Sequence, residues 1–225
     1  MPQIGTLVTG AGVETTISGQ ASCGSVLVLA DIDNANPLSG IQVEIDGVPF
    51  INIKGNATLC TAFAKWQNRA IEGTNIVGVA YKLSTGKINR STTYRLTNNG
   101  ATTPVIRVLS DNQNGVPFIV AQKGIPALSF DDFQQFSALL IDVPANVNNI
   151  EVNFRDGHRE TWSVQDADTY SALNFDTEAD GRLGGATLID NTAGNISSVR
   201  INATTAVSVL VIKLPDGAFQ ALKGL

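Results

Sequence analysis

The sequence predicts an all-β protein built as two tandem eight-stranded sandwiches with short connecting helices. Three observations predict it. Period-two alternation and β-branched runs dominate the 225 residues. Turn-forming residues punctuate those runs at short intervals. One phrase also recurs about half a chain apart: "SVLVLADIDNANPLSGIQVEIDG" from Ser25 to Gly47, and "SALLIDVPANVNNIEVNFRDG" from Ser137 to Gly157. Each copy has an apolar strand ending in Asp and a β-branched residue (Asp31-Ile32, Asp142-Val143) and then a polar turn. An alternating strand (Ile41, Val43, Ile45; Ile150, Val152, Phe154) and Asp-Gly complete it.

Taken in order, the first half predicts strands near 3–8, 13–18, 25–32, 41–46, 48–54, 75–82, 87–96 and 104–109. The second predicts strands near 116–121, 136–143, 149–154, 159–165, 169–174, 186–190, 195–202 and 206–213. Three stretches have helical character instead. In "TAFAKWQNRAIEG", Thr61 is a plausible N-cap, Phe63, Trp66 and Ala70 follow at helical spacing, and Gly73 closes the run. In "SFDDFQQF", Ser129 precedes Phe130, Phe133 and Phe136, with Asp131 and Asp132 in the first turn, where a helix dipole favours acids. "DGAFQALKGL" predicts one or two turns at the C-terminus.

The repeat extends beyond the opening phrase. "TGKINRSTTYRL" from Thr85 resembles "AGNISSVRI" from Ala193, and "PVIRVLSDNQNG" from Pro104 resembles "SVLVIKLPDG" from Ser208. The four blocks keep their order, as a tandem duplication requires. A period this long, with eight strands in each copy, points to one sandwich per copy rather than a solenoid. The polar connector Ser110–Gly115 places the units at residues 1–110 and 116–225.

Composition excludes several classes. The net charge of −5 and pI near 4.8, with 15 scattered basic residues, argue against a nucleic-acid partner, which needs clustered Lys and Arg. No apolar run approaches the roughly 20 residues of a membrane-spanning helix. "MPQIGTLVTGAG" lacks a charged n-region and a long apolar core, so the expectation is synthesis in the cytoplasm without a signal peptide. Charged residues make up only 16%, against about 25% in ordinary globular proteins. Such a surface loses its water readily on contact with other subunits.

Candidate chemistry is sparse. His158, the one histidine, follows an Asp-Gly turn between Arg155 and Arg159 and predicts a solvated turn residue. Cys23 and Cys60 fall in different predicted elements; the reading is two buried reduced thiols, with one disulfide as the alternative. Paired acids, the equipment of glycosidases, occur at Asp131-Asp132, Asp166/Asp168 and Asp176/Glu178/Asp180. The last set, "DTEADGR", imitates the start of a calcium loop, but Thr187 stands where a bidentate Glu is needed, so an acidic turn is the favoured reading. No nucleotide or hydrolase motif occurs, and the expectation is a non-enzyme with no catalytic, cofactor or metal residues.

The two copies of "ID…(turn)…I-x-V-x-[IF]…DG", in a strand-rich, Asn- and Thr-rich chain, resemble the double jelly-roll major capsid proteins of membrane-containing icosahedral viruses and phages. The resemblance implies two tandem eight-stranded jelly rolls. It also implies homotrimers that tile a shell as pseudo-hexagons, and a place in the virion capsid. The implied partners are neighbouring trimers, penton proteins and an internal viral membrane close by, without direct nucleic-acid contact. The helix at Thr61–Gly73 falls where such proteins carry one between the fifth and sixth strands of the first roll, termed F and G; the matching "SALNFDTEADGRLGG" reads as a loop. The alternatives are a penton-type minor capsid component, or a tandem carbohydrate-binding or adhesive module of a phage spike or tail. The adhesive module would need an exposed aromatic platform.

Overall fold

The computed structural model describes residues 3–6, 10–21, 25–29, 38–68, 80–84, 90–99, 107–111, 119–175 and 177–214. Its first eight strands are β1 (Gln3–Thr6), β2 (Glu14–Ala21), β3 (Ser25–Leu29), β4 (Leu38–Ile45), β5 (Val48–Ile53), β6 (Ala80–Ser84), β7 (Arg90–Asn98) and β8 (Arg107–Asp111), with helix α1 (Ala57–Asn68) between β5 and β6. The next eight are β9 (Ile119–Ile125), β10 (Ser129–Gln134), β11 (Ala138–Ile141), β12 (Val147–Phe154), β13 (Arg159–Trp162), β14 (Thr187–Asp190), β15 (Ile196–Ala203) and β16 (Val207–Lys213). Helix α2 (Val164–Asn174) lies between β13 and β14. The chain forms two compact units, Met1–Ala121 with Leu214–Leu225, and Gln122–Lys213.

Both octets wind the same way. In the first, the strand orders are β1-β8-β3-β6 and β2-β7-β4-β5; in the second they are β9-β16-β11-β14 and β10-β15-β12-β13. Counted within each octet, both read 1-8-3-6 and 2-7-4-5, the two interleaved sheets of a jelly roll. The repeated blocks fall on the third, fourth, seventh and eighth strands of each octet: β3 and β11, β4 and β12, β7 and β15, β8 and β16. Gly47 and Gly157 take positive φ (79° and 90°) in the turns after β4 and β12. Asp31-Ile32 lies outside the described residues.

Alternation sets which face is buried. In β4, Ile41 sits between Leu96 and Ile53, and Val43 between Tyr94 and Ile51. All six are buried. In β12, Ile150 sits between Ile201 and Trp162, and Val152 lies opposite Val199. These residues join Phe133, Leu139, Ile141 and Val209 in one core. Truncating a fully buried Ile such as Ile201 to Ala costs about 2–5 kcal/mol, so this stripe alone carries a large share of the unit's stability. The first strand pair has a further neighbour: β5 runs parallel to the first residues of β9, Ile51 opposite Val120 and Asn52 opposite Ala121.

Both helices pack on their sheets, but for different local reasons. Asn56 caps α1, its Oδ1 accepting from the Leu59 N–H at 2.9 Å. The helix therefore starts one turn earlier than the expected Thr61, which is buried within it; Gly73 lies outside the described residues. Leu59, Ala62 and Phe63 are buried, and Phe63 stacks on Trp66 with centroids 6.5 Å apart. Cys60 is a free thiol with no exposed surface; burial pushes its pKa far above the ordinary thiol value. Cys23 lies outside the described residues.

Helix α2 corrects two expectations. Residues 169–174 are helix, not strand, and the place after β13 holds a helix as the place after β5 does. Its N-terminus is a capping box. Ser163 Oγ accepts from the Asp166 N–H, and Asp166 Oδ2 accepts from the Ser163 N–H at 2.8 Å. Only Ala167, Asp168 and Ser171 of the helix are buried, so no apolar stripe announces it. The third correction is "SFDDFQQF", which forms strand β10. Its Phe spacing imitates a helix, yet Phe133 points inward and Phe130 outward, 54% exposed. Gln135 then takes a left-handed φ of 52°, which shifts the alternation and returns Phe136 to the core. The C-terminal stretch from Pro215 lies outside the described residues.

Three substitutions test this local geometry. Gly181 has φ 79°, and a Cβ there would stand 2.2 Å from the Asp168 carbonyl oxygen. Gly157→Ala meets open space, so it incurs only the left-handed backbone cost of about 1–2 kcal/mol. Thermal melts should show Gly181→Ala lowering the melting temperature clearly more than Gly157→Ala. Ser163→Ala should cost about 1 kcal/mol at neutral pH as a lost N-cap. The Ser163 hydroxyl, then its amide, hold the Asp166 carboxyl below its usual pKa. The part of that contribution carried by the Asp166 carboxylate is present above about pH 3.9 and lost as pH falls through the lower folded value. The gap between wild type and Ser163→Ala should therefore narrow in acid and keep the share of the Asp166 N–H bond to Ser163 Oγ.

Candidate interaction surface

If every second residue of β10, β12, β13 and β15 points into the core, the others form the sheet's outer face. Register aligns them in two rows. Asp132, Arg200, Glu151 and Thr161 lie side by side, and next to them Gln134, Ser198, Asn153 and Arg159. Together they line an open, polar depression.

Arg200 is the hub of the first row. Its Nε and Nη2 donate to the two carboxylate oxygens of Asp132 at 2.9 and 3.2 Å, and its Nη1 lies 3.9 Å from Glu151. The guanidinium also covers the Phe130 ring, 4.5 Å from its centroid. Asp132, by hydrogen bond and then by charge, raises the Arg200 pKa. These groups are about two-fifths exposed, so the fork adds little to stability; it holds a patterned charge surface in one geometry. Asn153 donates to Ser198 Oγ at 3.0 Å, and Asn202 to Glu151 at 3.2 Å.

The first unit has an arginine in the corresponding place. Leu96 lies opposite Ile41 as Ile201 lies opposite Ile150, which makes Arg95 the counterpart of Arg200. Across the next strand Arg95 faces Thr16, where Arg200 faces Asp132. Its acid partner is instead Glu44 on β4, at 2.6 Å. The cation is repeated and the anion has moved.

A second feature borders this face at the β12–β13 hairpin. The His158 N–H donates to Asp156 Oδ1 at 2.9 Å, and the exposed imidazole pairs with Glu160 at 2.8 Å. The Trp162 indole N–H donates to the other oxygen of Glu160. A row of rings runs alongside: Phe154 lies 5.5 Å from His158 and 6.4 Å from Trp162, and Trp162 lies 5.3 Å from Tyr170. Leu173, one turn beyond Tyr170 on α2, is 81% exposed.

The acids singled out in the sequence do not converge. Asp131 and Asp132 are consecutive strand residues on opposite faces, Asp131 paired with Lys123 at 2.5 Å and Asp132 with Arg200. Asp166 caps α2, whereas Asp168 is buried and accepts from Thr187 Oγ1 at 2.7 Å and Arg182 Nε at 2.9 Å. Glu178 accepts from the Gly184 N–H and Asp180 from the Arg182 N–H, at 3.2 and 3.1 Å; Asp176 lies outside the described residues. Among the described residues no three His, Cys, Asp or Glu side chains gather as a metal site. Of the residues that do form a surface, only Asp132 stands among the paired acids of the sequence; Arg200 and its other neighbours do not. Their available signal was the shared "YRL" and "VRI" at the ends of two repeated blocks.

The hairpin gives a measurable titration. The Trp162 indole, then His158, hold the Glu160 carboxyl below its usual pKa. Carboxyl-resolved NMR should place Glu160 below the ordinary carboxylate range, and Trp162→Phe should move it upward. Any stability this contact supplies is present above the unfolded Glu value, about pH 4.3, and lost as pH falls through the folded one.

No protein-family model matches the chain, and no curated protein matches it significantly. Solved structures do. The major capsid protein P2 of bacteriophage PM2 aligns with a TM-score of 0.59 at 10% identity, over 94% of this chain and 96% of that one. The STIV major capsid protein aligns with a TM-score of 0.57 at 12% identity, over 98% and 97%. VP54 of PBCV-1 aligns at 0.50 and 9% identity, over 95% and 92%. Likeness at such identities is likeness of fold, and it spans both octets: the chain has the double jelly-roll fold that its repeated phrase resembled.

Proposed function

We propose that the chain is a structural protein of a virion shell, a major capsid subunit whose homotrimers tile an icosahedral capsid. The observation that carries this reading is the paired jelly-roll winding, matched over nearly the whole of both chains by solved capsid proteins. Two similar tiles per chain, from residues 1–110 and 116–225, give six when three chains close around an axis. A pseudo-hexagon of this kind fills a shell with one gene product. Each contact within it is heterologous, the first tile of one chain meeting the second tile of the next.

The surfaces support that use. Arg200, Asp132 and Glu151 on the outer sheet of the second unit are already grouped with one another, so covering this cluster does not strand Arg200 as an isolated ion. A non-enzyme is part of this reading, supported by the structural capsid proteins whose fold the chain shares. The partners proposed are other copies of the trimer, penton proteins at the shell's vertices and an internal membrane beneath, with no direct nucleic-acid contact. The adhesive alternative is weakened by Trp66 and Trp162, which are 7% and 9% exposed and offer no open aromatic platform.

Light scattering on the purified chain at micromolar concentration should give three times the 23.7 kDa chain mass. A reconstruction of the native particle should show these trimers on local three-fold axes. A monomer that makes no three-fold contact in its particle would overturn the capsid reading.

A further inference from the structure

The two octets differ in what borders their fifth strand. In the first, β5 has β4 on one side and the start of β9 on the other, pairing in parallel at Ile51–Val120 and Asn52–Ala121. In the second, β13 has a single strand neighbour among the described residues, β12. The open side is equipped for pairing. The His158 carbonyl accepts from the Phe154 N–H, so His158 turns its backbone groups toward β12. Strand residues alternate, which turns those of Arg159 and Thr161 the other way. Thr161 lies opposite Glu151 as Asn52 lies opposite Gln42. It is therefore the counterpart of the residue that pairs with Ala121.

A matching donor edge exists in the same chain. β9 opens the second octet and runs beside its eighth strand, β16; β1 opens the first and runs beside its eighth, β8. β1 too has a single strand neighbour among the described residues. We propose that the open edge of β13 takes up, in parallel, strand β1 of a second copy of this chain, repeating between chains the pairing of β5 with β9. This rests on the capsid-subunit reading and names the contact that closes its trimer. One edge accepts and a different edge donates, so the contact is head-to-tail, the kind that forms a ring when the rotation between copies closes. The strand is short, but the β5–β9 pairing itself spans two residue pairs. Tyr170 and Leu173, 39% and 81% exposed on the helix that follows β13, supply apolar surface beside the joint.

The test uses the full chain. In Thr161→Pro the missing N–H is one that points away from β12, so the variant should keep its circular dichroism spectrum while the incoming strand loses its partner. Light scattering should fall from three times 23.7 kDa toward 23.7 kDa at the same concentration. Independently of that variant's folding, Thr161→Cys combined with Ile4→Cys or with Gly5→Cys should form intermolecular disulfides under mild oxidation. Non-reducing gels would then show species of two and three chains that each single substitution lacks. If the wild type is trimeric but neither double variant cross-links, or a folded Thr161→Pro remains trimeric, the strand pairing is wrong and the capsid reading stands. A wild type that is monomeric in solution and in its particle overturns both.

Discussion

The pairing of each unit's fourth strand with its seventh is the constraint on which the rest of the structure depends. β4 meets β7, and β12 meets β15, across about half a unit of intervening chain: Arg95 and Glu44 are 51 residues apart, as are Asn202 and Glu151. Closing such a loop is entropically unfavourable, and the opposed rows of buried Ile, Val and Leu offset it. The register cannot drift. Sliding β15 by one residue would carry Arg200 into the core and put Ile201 in water. The outer strands β2 and β5, or β10 and β13, add to this central pair and inherit its register.

Central pairing also makes the repeat readable. The motif that recurs most clearly, I-x-V-x-[IF], is the fourth strand itself, and its buried face is the same in both units because both seventh strands present the same kind of face. Where local rules conflicted, the reading went wrong for identifiable reasons. Three Phe at intervals of three read as a helix face in 129–136, yet a left-handed Gln135 lets a strand bury two of them. α2 was hidden because its inward side is Ala167, Asp168 and Ser171 rather than a stripe of Leu and Ile. Its one legible mark was the capping sequence Ser163-x-x-Asp166.

The surface was harder to read than the core, because it depends on which strands become neighbours. Asp131-Asp132 looked like a unit in the sequence and is split between two faces in the sheet. Arg200 looked unremarkable and collects partners from β10 and β12, neither adjacent to it in sequence. Equivalent cations with relocated anions, Arg95 with Glu44 and Arg200 with Asp132, have a further effect. They let two units of one winding present different charge patterns on the same face.

Cys60 has a consequence outside assembly. Thiol chemistry runs through the thiolate, and burial in α1 disfavours that form at the Cys60 sulfur. Alkylating reagents and oxidants can reach this sulfur only when the helix lifts from its sheet. Its rate of labelling therefore measures how often the first jelly roll opens, as amide exchange would, but from one atom.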